Sequence, residues 1–133
     1  MNFLLDTNIV SETIKKNPNE NVVGWLNSIP DENLSISVIT LGELRKGVEK
    51  LQDNMRKIEL INWIDHKLRP WFGGNIISIN TEIAEKWGYI SATTNTPAID
   101  GLIAATCLTR NLTLVTRNIK DFNIPGLEVF NPF

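Results

Sequence analysis

The stretch Phe3-Leu4-Leu5-Asp6-Thr7-Asn8 decides the fold that we expect for this chain. Three apolar residues end abruptly at an aspartate, and two residues that favour helix capping follow. A short apolar run bounded in this way predicts a buried parallel strand that feeds a helix. In an open parallel sheet, ligands bind beyond the carboxyl ends of the strands. Asp6 would lie there, and a charged group at the rim of a core needs a partner, for which a cation is the obvious choice.

The rest of the chain repeats the alternation of strand and helix. Residues 34–38 alternate between apolar and polar and predict a second strand. Three further short segments, at 75–79, 112–116 and 127–130, predict the remaining strands. Helical patterns separate these segments, so the sequence favours an α/β fold with a mainly parallel central sheet of about five strands.

The predicted helices place further residues near the sheet. We expect Thr40 to cap a helix that carries Glu43 in its first turn, and Pro97 to open a helix that carries Asp100. A long amphipathic helix is expected from about Asn54 to Trp71. The inward side of that helix would consist of Ile58, Ile61, Ile64 and Leu68.

Composition limits the class of protein. The chain has 133 residues, of which 42% are hydrophobic and 21% charged, values that are ordinary for one soluble globular domain over residues 1–133. The net charge of −2 gives no global basic surface, so nucleic-acid binding would depend on a local patch or on metal ions. The single cysteine, Cys107, excludes an internal disulfide framework and fits a reducing cytoplasm. No segment has the length of a membrane span or the pattern of a signal peptide, so we expect a cytoplasmic protein with no membrane partner.

Four acidic residues follow predicted strands or begin predicted helices: Asp6, Glu43, Asp100 and Asp121. Because the carboxyl ends of parallel strands meet at one edge of the sheet, we expect all four to lie there. Carboxylates gathered together repel one another, and Mg²⁺, or Mn²⁺ in its place, would relieve that repulsion through oxygen ligands. Such a site suits metal-assisted phosphodiester hydrolysis, in which a pair of ions activates water and stabilises the leaving oxygen. Any one of these acids is more often a helix cap or a surface charge, so the evidence is their convergence.

The chain also resembles a known family in four motifs, taken in order. They are Leu4-Leu5-Asp6-Thr7-Asn8, then Thr40-Leu41-Gly42-Glu43-Leu44-Arg45-Lys46-Gly47, then Asp100-Gly101-Leu102-Ile103-Ala104-Ala105-Thr106, and finally Leu114-Val115-Thr116-Arg117-Asn118-Ile119-Lys120-Asp121-Phe122 with a terminal Asn131-Pro132-Phe133. With these motifs the chain is similar to PIN-domain proteins, close to the VapC and FitB toxins of bacterial type II toxin–antitoxin systems. The resemblance implies a three-layer α/β/α sandwich, a Mg²⁺-dependent endoribonuclease, a homodimer and inhibition by a cognate antitoxin.

The resemblance carries over three acidic residues directly, namely Asp6, Glu43 and Asp100. For the fourth position, many relatives have an acid two residues after the strand-ending threonine. Here that residue is Asn118, and Asp121 comes three residues later. Either could complete the site, and we favour Asp121 because an asparagine carries no charge.

Several other residues have two interpretations. Lys46 and Lys50 share the helical face of Glu43 and could draw RNA phosphate toward the metals, although a solvated helix face is at least an equal alternative. Arg117 could also attract RNA phosphate, or it could cap a helix. Thr7 and Thr116 could hydrogen-bond a carboxylate or metal-bound water, or simply cap helices.

Other functional classes fit less well. A phosphoacceptor receiver domain would need an acid next to Asp6, where Thr7 stands, and a haloacid-dehalogenase-like phosphatase would need one at Asn8. No glycine-rich nucleotide-binding turn is present. A catalytically silent PIN-like protein-binding module and a non-toxic nuclease stay open.

A toxic ribonuclease would need an inhibitor. We expect a partner that inserts an Arg or Lys among the carboxylates and forms charge-assisted hydrogen bonds there. The rest of its binding would come from apolar contacts with the early helices, which carry Ile9, Ile14, Val22, Val23 and Trp25.

Overall fold

A five-stranded parallel sheet forms the centre of the molecule in the computed structural model, which describes residues 1–133. The strands lie in the order β3-β2-β1-β4-β5, so the strand that carries Asp6 at its end is the central one. All four pairings are parallel, which confirms the predicted α/β sheet. The strands are β1 (Phe3–Leu5), β2 (Leu34–Ser37), β3 (Ile76–Ile77), β4 (Thr113–Val115) and β5 (Val129–Phe130).

Helices cover both faces of this sheet, which gives the predicted three layers. They are α1 (Thr7–Glu12), α2 (Glu20–Ser28), α3 (Val38–Glu49), α4 (Asn54–Trp63), α5 (Arg69–Phe72), α6 (Thr81–Thr93) and α7 (Ala98–Arg110). Side chains alternate along a strand, so Phe3 and Leu5 join the core under α2 to α5, while Leu4 joins the core under α6 and α7. Burial on both faces explains why β1 reads as a continuous apolar run.

The helix α3 begins earlier than the sequence predicts. The Ser37 hydroxyl accepts a hydrogen bond from the Ile39 N–H at 3.0 Å, so Ser37, and not Thr40, caps this helix. Thr40 is fully buried inside the first turn. As a consequence Glu43 lies in the second turn and not in the first, which corrects the prediction.

The predicted long helix exists, but its geometry changes in the middle. After α4 the segment Ile64–Leu68 widens into a π-helical turn before α5 begins. Pro70 accounts for this, because a proline has no N–H to donate four residues back and its ring crowds the carbonyl of His66. The prediction that Ile58 faces inward is wrong, since Ile58 is 60% exposed, while Ile64 and Leu68 are buried as predicted.

The edge strands β3 and β5 are shorter than the predicted segments 75–79 and 127–130. An edge strand has only one neighbour, so its ladder ends as soon as that neighbour diverges. None of the helices combines the length and the apolar character that a membrane span requires.

Candidate active site

Asp6 is the central acid of the candidate site. It follows β1 and is 8% exposed. Its carboxylate accepts hydrogen bonds from the Thr7 N–H and from the Thr116 hydroxyl, both at 2.8 Å. Burial raises the pKa of this carboxyl, the two hydrogen bonds oppose that increase, and the charge of Glu43 adds to it.

The Thr116 hydroxyl takes part in three hydrogen bonds of the site. It follows β4, the neighbour of β1, and is fully buried. While it donates to Asp6, its oxygen accepts from the Asn118 N–H at 3.1 Å and from the Asn8 side-chain amide at 3.3 Å. A hydroxyl with these three partners has a fixed orientation, so the position of the Asp6 carboxylate is fixed as well.

Glu43 approaches the site from α3. The Thr7 hydroxyl donates to its Oε1 at 2.6 Å, a short bond of the charge-assisted kind. Thr7 is the first residue of α1, so this bond ties the start of α1 to the second turn of α3. Both predicted supporting threonines therefore orient a carboxylate, and their role goes beyond helix capping.

Asp100 lies in the first turn of α7, as predicted. Partial burial raises the pKa of its carboxyl, and the charges of Asp6, Asp121 and Glu43 raise it further, in that order. The charges of these three acids therefore act on the Asp100 carboxyl. No three acidic, histidine or cysteine side chains lie close enough together in this structure to hold a metal ion as they are placed.

The four acids nevertheless fit a divalent cation by their chemistry. Carboxylate oxygens are the donors that Mg²⁺ and Mn²⁺ prefer. Two of the carboxyls, Asp6 and Asp100, have raised pKa values because burial and like charges disfavour their ionised forms. A cation among them would reverse the sign of that interaction and favour the ionised carboxylates.

The fourth position has two candidates with different surroundings. Asp121 lies in the 3₁₀ turn Ile119–Phe122 and raises the pKa of Asp100, so its charge reaches the site. Asn118 precedes that turn and uses its backbone N–H to bond Thr116. Asp121 therefore acts on Asp100 through its charge, whereas Asn118 contacts Thr116 through its backbone.

The predicted basic residues separate into two groups. Lys46 and Lys50 line an open groove of about 410 Å³ together with Glu43 and Ile99, which places them beside the acids. Arg117 instead places its guanidinium over the ring of Phe133, 4.7 Å from the ring centroid. The hydrogen bond from Lys15 lowers the pKa of the Glu12 carboxyl, and the charge of Arg117 adds a smaller contribution.

Sequence reasoning missed Asn8 and Glu12. Asn8 faces Thr116 with its amide nitrogen, and its Oδ1 accepts from the Arg117 N–H at 3.2 Å. Glu12 is 5% exposed and bonds Lys15 Nζ and the Asn19 N–H, each at 2.8 Å. The position of Asn8, two residues after Asp6 at the end of the first strand, could have indicated its role. No local sequence pattern distinguishes Glu12 from an acid on the surface.

Comparison with known proteins agrees with this geometry. The PIN domain matches residues 3–124. The chain is 37% identical to toxin FitB of Neisseria gonorrhoeae, over 98% of both chains, and 32% identical to ribonuclease VapC2 of Rickettsia felis, also over 98% of both.

Solved structures give the same result. The crystal structure of FitAcB from Neisseria gonorrhoeae superimposes with a TM-score of 0.91 at 37% identity and covers 98% of this chain and 97% of its own. A toxin–antitoxin complex from Klebsiella pneumoniae superimposes with a TM-score of 0.72 at 30% identity over 98% of both chains. The match of residues 3–124 to the PIN domain, the similar proteins and the fold all agree, and the chain therefore belongs to the PIN-domain family.

Proposed function

We propose that this protein is a Mg²⁺-dependent endoribonuclease and the toxin component of a type II toxin–antitoxin system, acting in the cytoplasm. The observation that carries the proposal is that the Thr116 and Thr7 hydroxyls hold two carboxylates, Asp6 and Glu43, where the central strand ends. The charges of Asp6, Asp121 and Glu43 also act on the Asp100 carboxyl. The names of the relatives, a toxin and a ribonuclease, support it.

Each acid has a distinct role in this proposal. Asp6, Glu43 and Asp100 would hold Mg²⁺, or Mn²⁺ in its place, and Asp121 would complete the set. A divalent ion supplies Lewis acidity toward a phosphodiester group and lowers the pKa of water, which is the chemistry that RNA hydrolysis requires.

The other polar groups of the site would act by orienting the acids and the substrate. The hydroxyls of Thr116 and Thr7 hold Asp6 and Glu43 in place. Lys46 and Lys50, in the groove beside Glu43, would attract the phosphates of the RNA on either side of the cleaved bond. Lysine contacts to phosphate contribute to RNA binding, and this contribution weakens as the salt concentration rises.

An apolar groove next to the acids suits the inhibitor that a toxin needs. It has a volume of about 290 Å³ and lies between α1, α3 and α4, with Glu43 and Thr7 at one end. Its apolar lining includes Ile14, Leu44, Leu51, Leu60 and Trp63. An antitoxin helix with an apolar stripe would fit here and direct an Arg or Lys toward the carboxylates. The expectation that Ile9 and Val22 take part is wrong, because both are fully buried in the core.

Cleavage of a labelled RNA tests the nuclease proposal. Wild-type protein should cleave with Mg²⁺ and stop when a chelator is added, and Asp100→Asn should be slower by at least about 100-fold. Asp65→Asn removes the same charge from an exposed residue outside the site and should behave as wild type. Equal rates for Asp100→Asn and Asp65→Asn would exclude this site as the centre of the reaction.

Expression in bacteria tests the toxin proposal separately. The protein alone should arrest growth, Asp100→Asn should not, and co-expression of the small gene next to it should restore growth. An active nuclease that is harmless alone would be a non-toxic nuclease. A chain with neither cleavage nor metal binding would be a silent protein-binding module.

The homodimer implied by the family resemblance is part of the same proposal. Tyr89 on α6, in the layer on the other face of the sheet from the inhibitor groove, has a side chain that is 66% exposed. Light scattering of the purified protein would measure its mass, and a mass of one chain would refute the dimer.

A further inference from the structure

Arg117 is held at its side chain, at its backbone N–H and at its backbone carbonyl. The guanidinium lies over the Phe133 ring at 4.7 Å from the centroid, a cation–π geometry. The Arg117 N–H donates to Asn8 Oδ1 at 3.2 Å, and the Arg117 carbonyl accepts a long hydrogen bond from Asn131 Nδ2 at 3.5 Å. A residue with three separate attachments is a fixed point in the loop after β4.

The attachments on the Phe133 side are themselves anchored. The Phe133 N–H donates to Asn131 Oδ1 at 2.9 Å, which closes a turn at the end of the described chain. The Phe133 ring packs partly buried against the core that contains Phe3, Leu5 and Ile9. The aromatic face under Arg117 is therefore held by the core and does not move freely.

Both neighbours of Arg117 support the acidic cluster. Thr116 donates its hydroxyl to Asp6 at 2.8 Å, and the Asn118 N–H donates to that hydroxyl oxygen at 3.1 Å. Arg117 is joined to Thr116 and to Asn118 by rigid, planar peptide units. A displacement of the Arg117 backbone would therefore move the Thr116 hydroxyl and the Asn118 N–H as well.

We propose that Arg117, seated on Phe133, is a positioning residue that keeps the Thr116 hydroxyl directed at Asp6. The consequence for catalysis depends on the proposed nuclease function, while the effect on local structure does not. This assigns a role to the terminal Asn131-Pro132-Phe133 motif, and it replaces the interpretation of Arg117 as an RNA contact.

Amide hydrogen exchange in the metal-free protein tests the positioning directly. Arg117→Ala and Phe133→Leu should each speed exchange of the Asn118 amide by about two- to fivefold, the factor that corresponds to one exposed cation–π contact. Phe133→Leu removes the aromatic face but keeps an apolar side chain against the core. Phe133→Tyr keeps the aromatic face, so the Asn118 amide of that variant should exchange at the wild-type rate.

Two controls separate this local effect from a general loss of stability. Arg110→Ala removes an exposed arginine at the end of α7 and should leave Asn118 unchanged. The Leu114 amide, bonded to the Glu128 carbonyl in the sheet, should keep its protection in every variant. The double variant Arg117→Ala with Phe133→Leu should show no more than the larger single effect, because both changes remove one contact.

Kinetics with RNA distinguish positioning from substrate contact. Positioning predicts that Arg117→Ala and Phe133→Leu lower kcat and leave KM and its salt dependence unchanged. An RNA contact predicts a higher KM with a weaker salt dependence for Arg117→Ala, and wild-type behaviour for Phe133→Leu. The second pattern, or unchanged Asn118 exchange in both variants, would overturn the proposal. Absence of cleavage by the wild type would refute the nuclease function and leave the exchange experiment to decide on Arg117.

Discussion

Replacing Asp100 by asparagine should stabilise the metal-free protein while it abolishes the proposed activity. Asp100 is partly buried and its charge is repelled by Asp6, Asp121 and Glu43, which together raise the pKa of its carboxyl. Asparagine has nearly the same shape without the charge, so Asp100→Asn removes the repulsion and leaves the packing intact.

The size of the effect follows from the surroundings of Asp100. Partly exposed charge pairs contribute about 0.2–1 kcal/mol each, and solvent screening favours the lower end for three partners at this open edge. We therefore expect a gain of about 1 kcal/mol in the free energy of unfolding. For a chain of this length that gain corresponds to an increase in Tm of roughly 3–5 °C.

The pH dependence identifies the cause. The ordinary pKa of this carboxyl is 3.8, and the folded state raises it. A raised folded pKa contributes stability that is present below pH 3.8 and is lost as pH rises through the folded value. Wild type and Asp100→Asn should therefore unfold alike near pH 3.5, and the variant should be more stable at pH 7.5, where the wild-type group is charged.

The assay is thermal unfolding in the presence of a chelator at both pH values. Asp65→Asn is the matched control, because Asp65 is an exposed acid outside the cluster, and it should leave Tm unchanged at both pH values. A Tm for Asp100→Asn at or below that of wild type at pH 7.5 would refute the claim that the acids repel one another in the folded chain.

Three further changes test other parts of the structure. Gly101→Ala would place a Cβ 3.0 Å from Trp87 Cδ1, so we expect a net loss of roughly 1 kcal/mol in urea unfolding despite the better helix propensity of alanine. Glu12→Gln removes a carboxylate whose pKa is lowered by its bond to Lys15. The stabilisation by Glu12 is present above its ordinary pKa of 4.5 and is lost as pH falls through the lowered folded value, so the variant should be less stable than wild type at pH 7 and approach it in acid. Asn111, at φ 55° after α7, should tolerate glycine, and Asn111→Ala should cost about 1 kcal/mol in the same unfolding assay.

Local patterns in the sequence were sufficient for the central sheet. The run Phe3–Leu5 is apolar on both faces and ends at a capping residue, so it predicted both a buried parallel strand and the position of Asp6 at its end. Asp100 was predicted within its first turn because Pro97 marks the start of α7. In each case the decisive information lies within a few residues of the feature.

The errors come from choices that local patterns leave open. Ser37 and Thr40 are both good caps, and the end of β2 decides between them, which shifted Glu43 by one turn. Ile58 lies six residues before Ile64, which on a regular helix turns it about 120° away from the buried Ile64, so repeated spacing by three residues assigned it to the wrong side. Resolving such choices requires the position of the neighbouring strand or helix.

Long-range contacts were beyond reach of the sequence. The hydrogen bond from Thr116 to Asp6 joins residues that are far apart in the chain, and so does the contact of Arg117 with Phe133. Arg117 in a motif beside the acids was therefore interpreted as a basic residue for RNA. The contact of Arg117 with Phe133 could not be predicted, because the two residues are far apart in the chain and meet only in the fold.

Calorimetric titration of Mg²⁺ and Mn²⁺ into the metal-free protein tests the central claim, that the acids at the carboxyl end of the sheet form one divalent-metal site. Wild type and Asp65→Asn should bind with the same affinity, and Asp100→Asn should bind at least about tenfold more weakly, since it lacks a charged ligand. The same affinity in Asp100→Asn as in wild type, or no binding by wild type, would contradict the account.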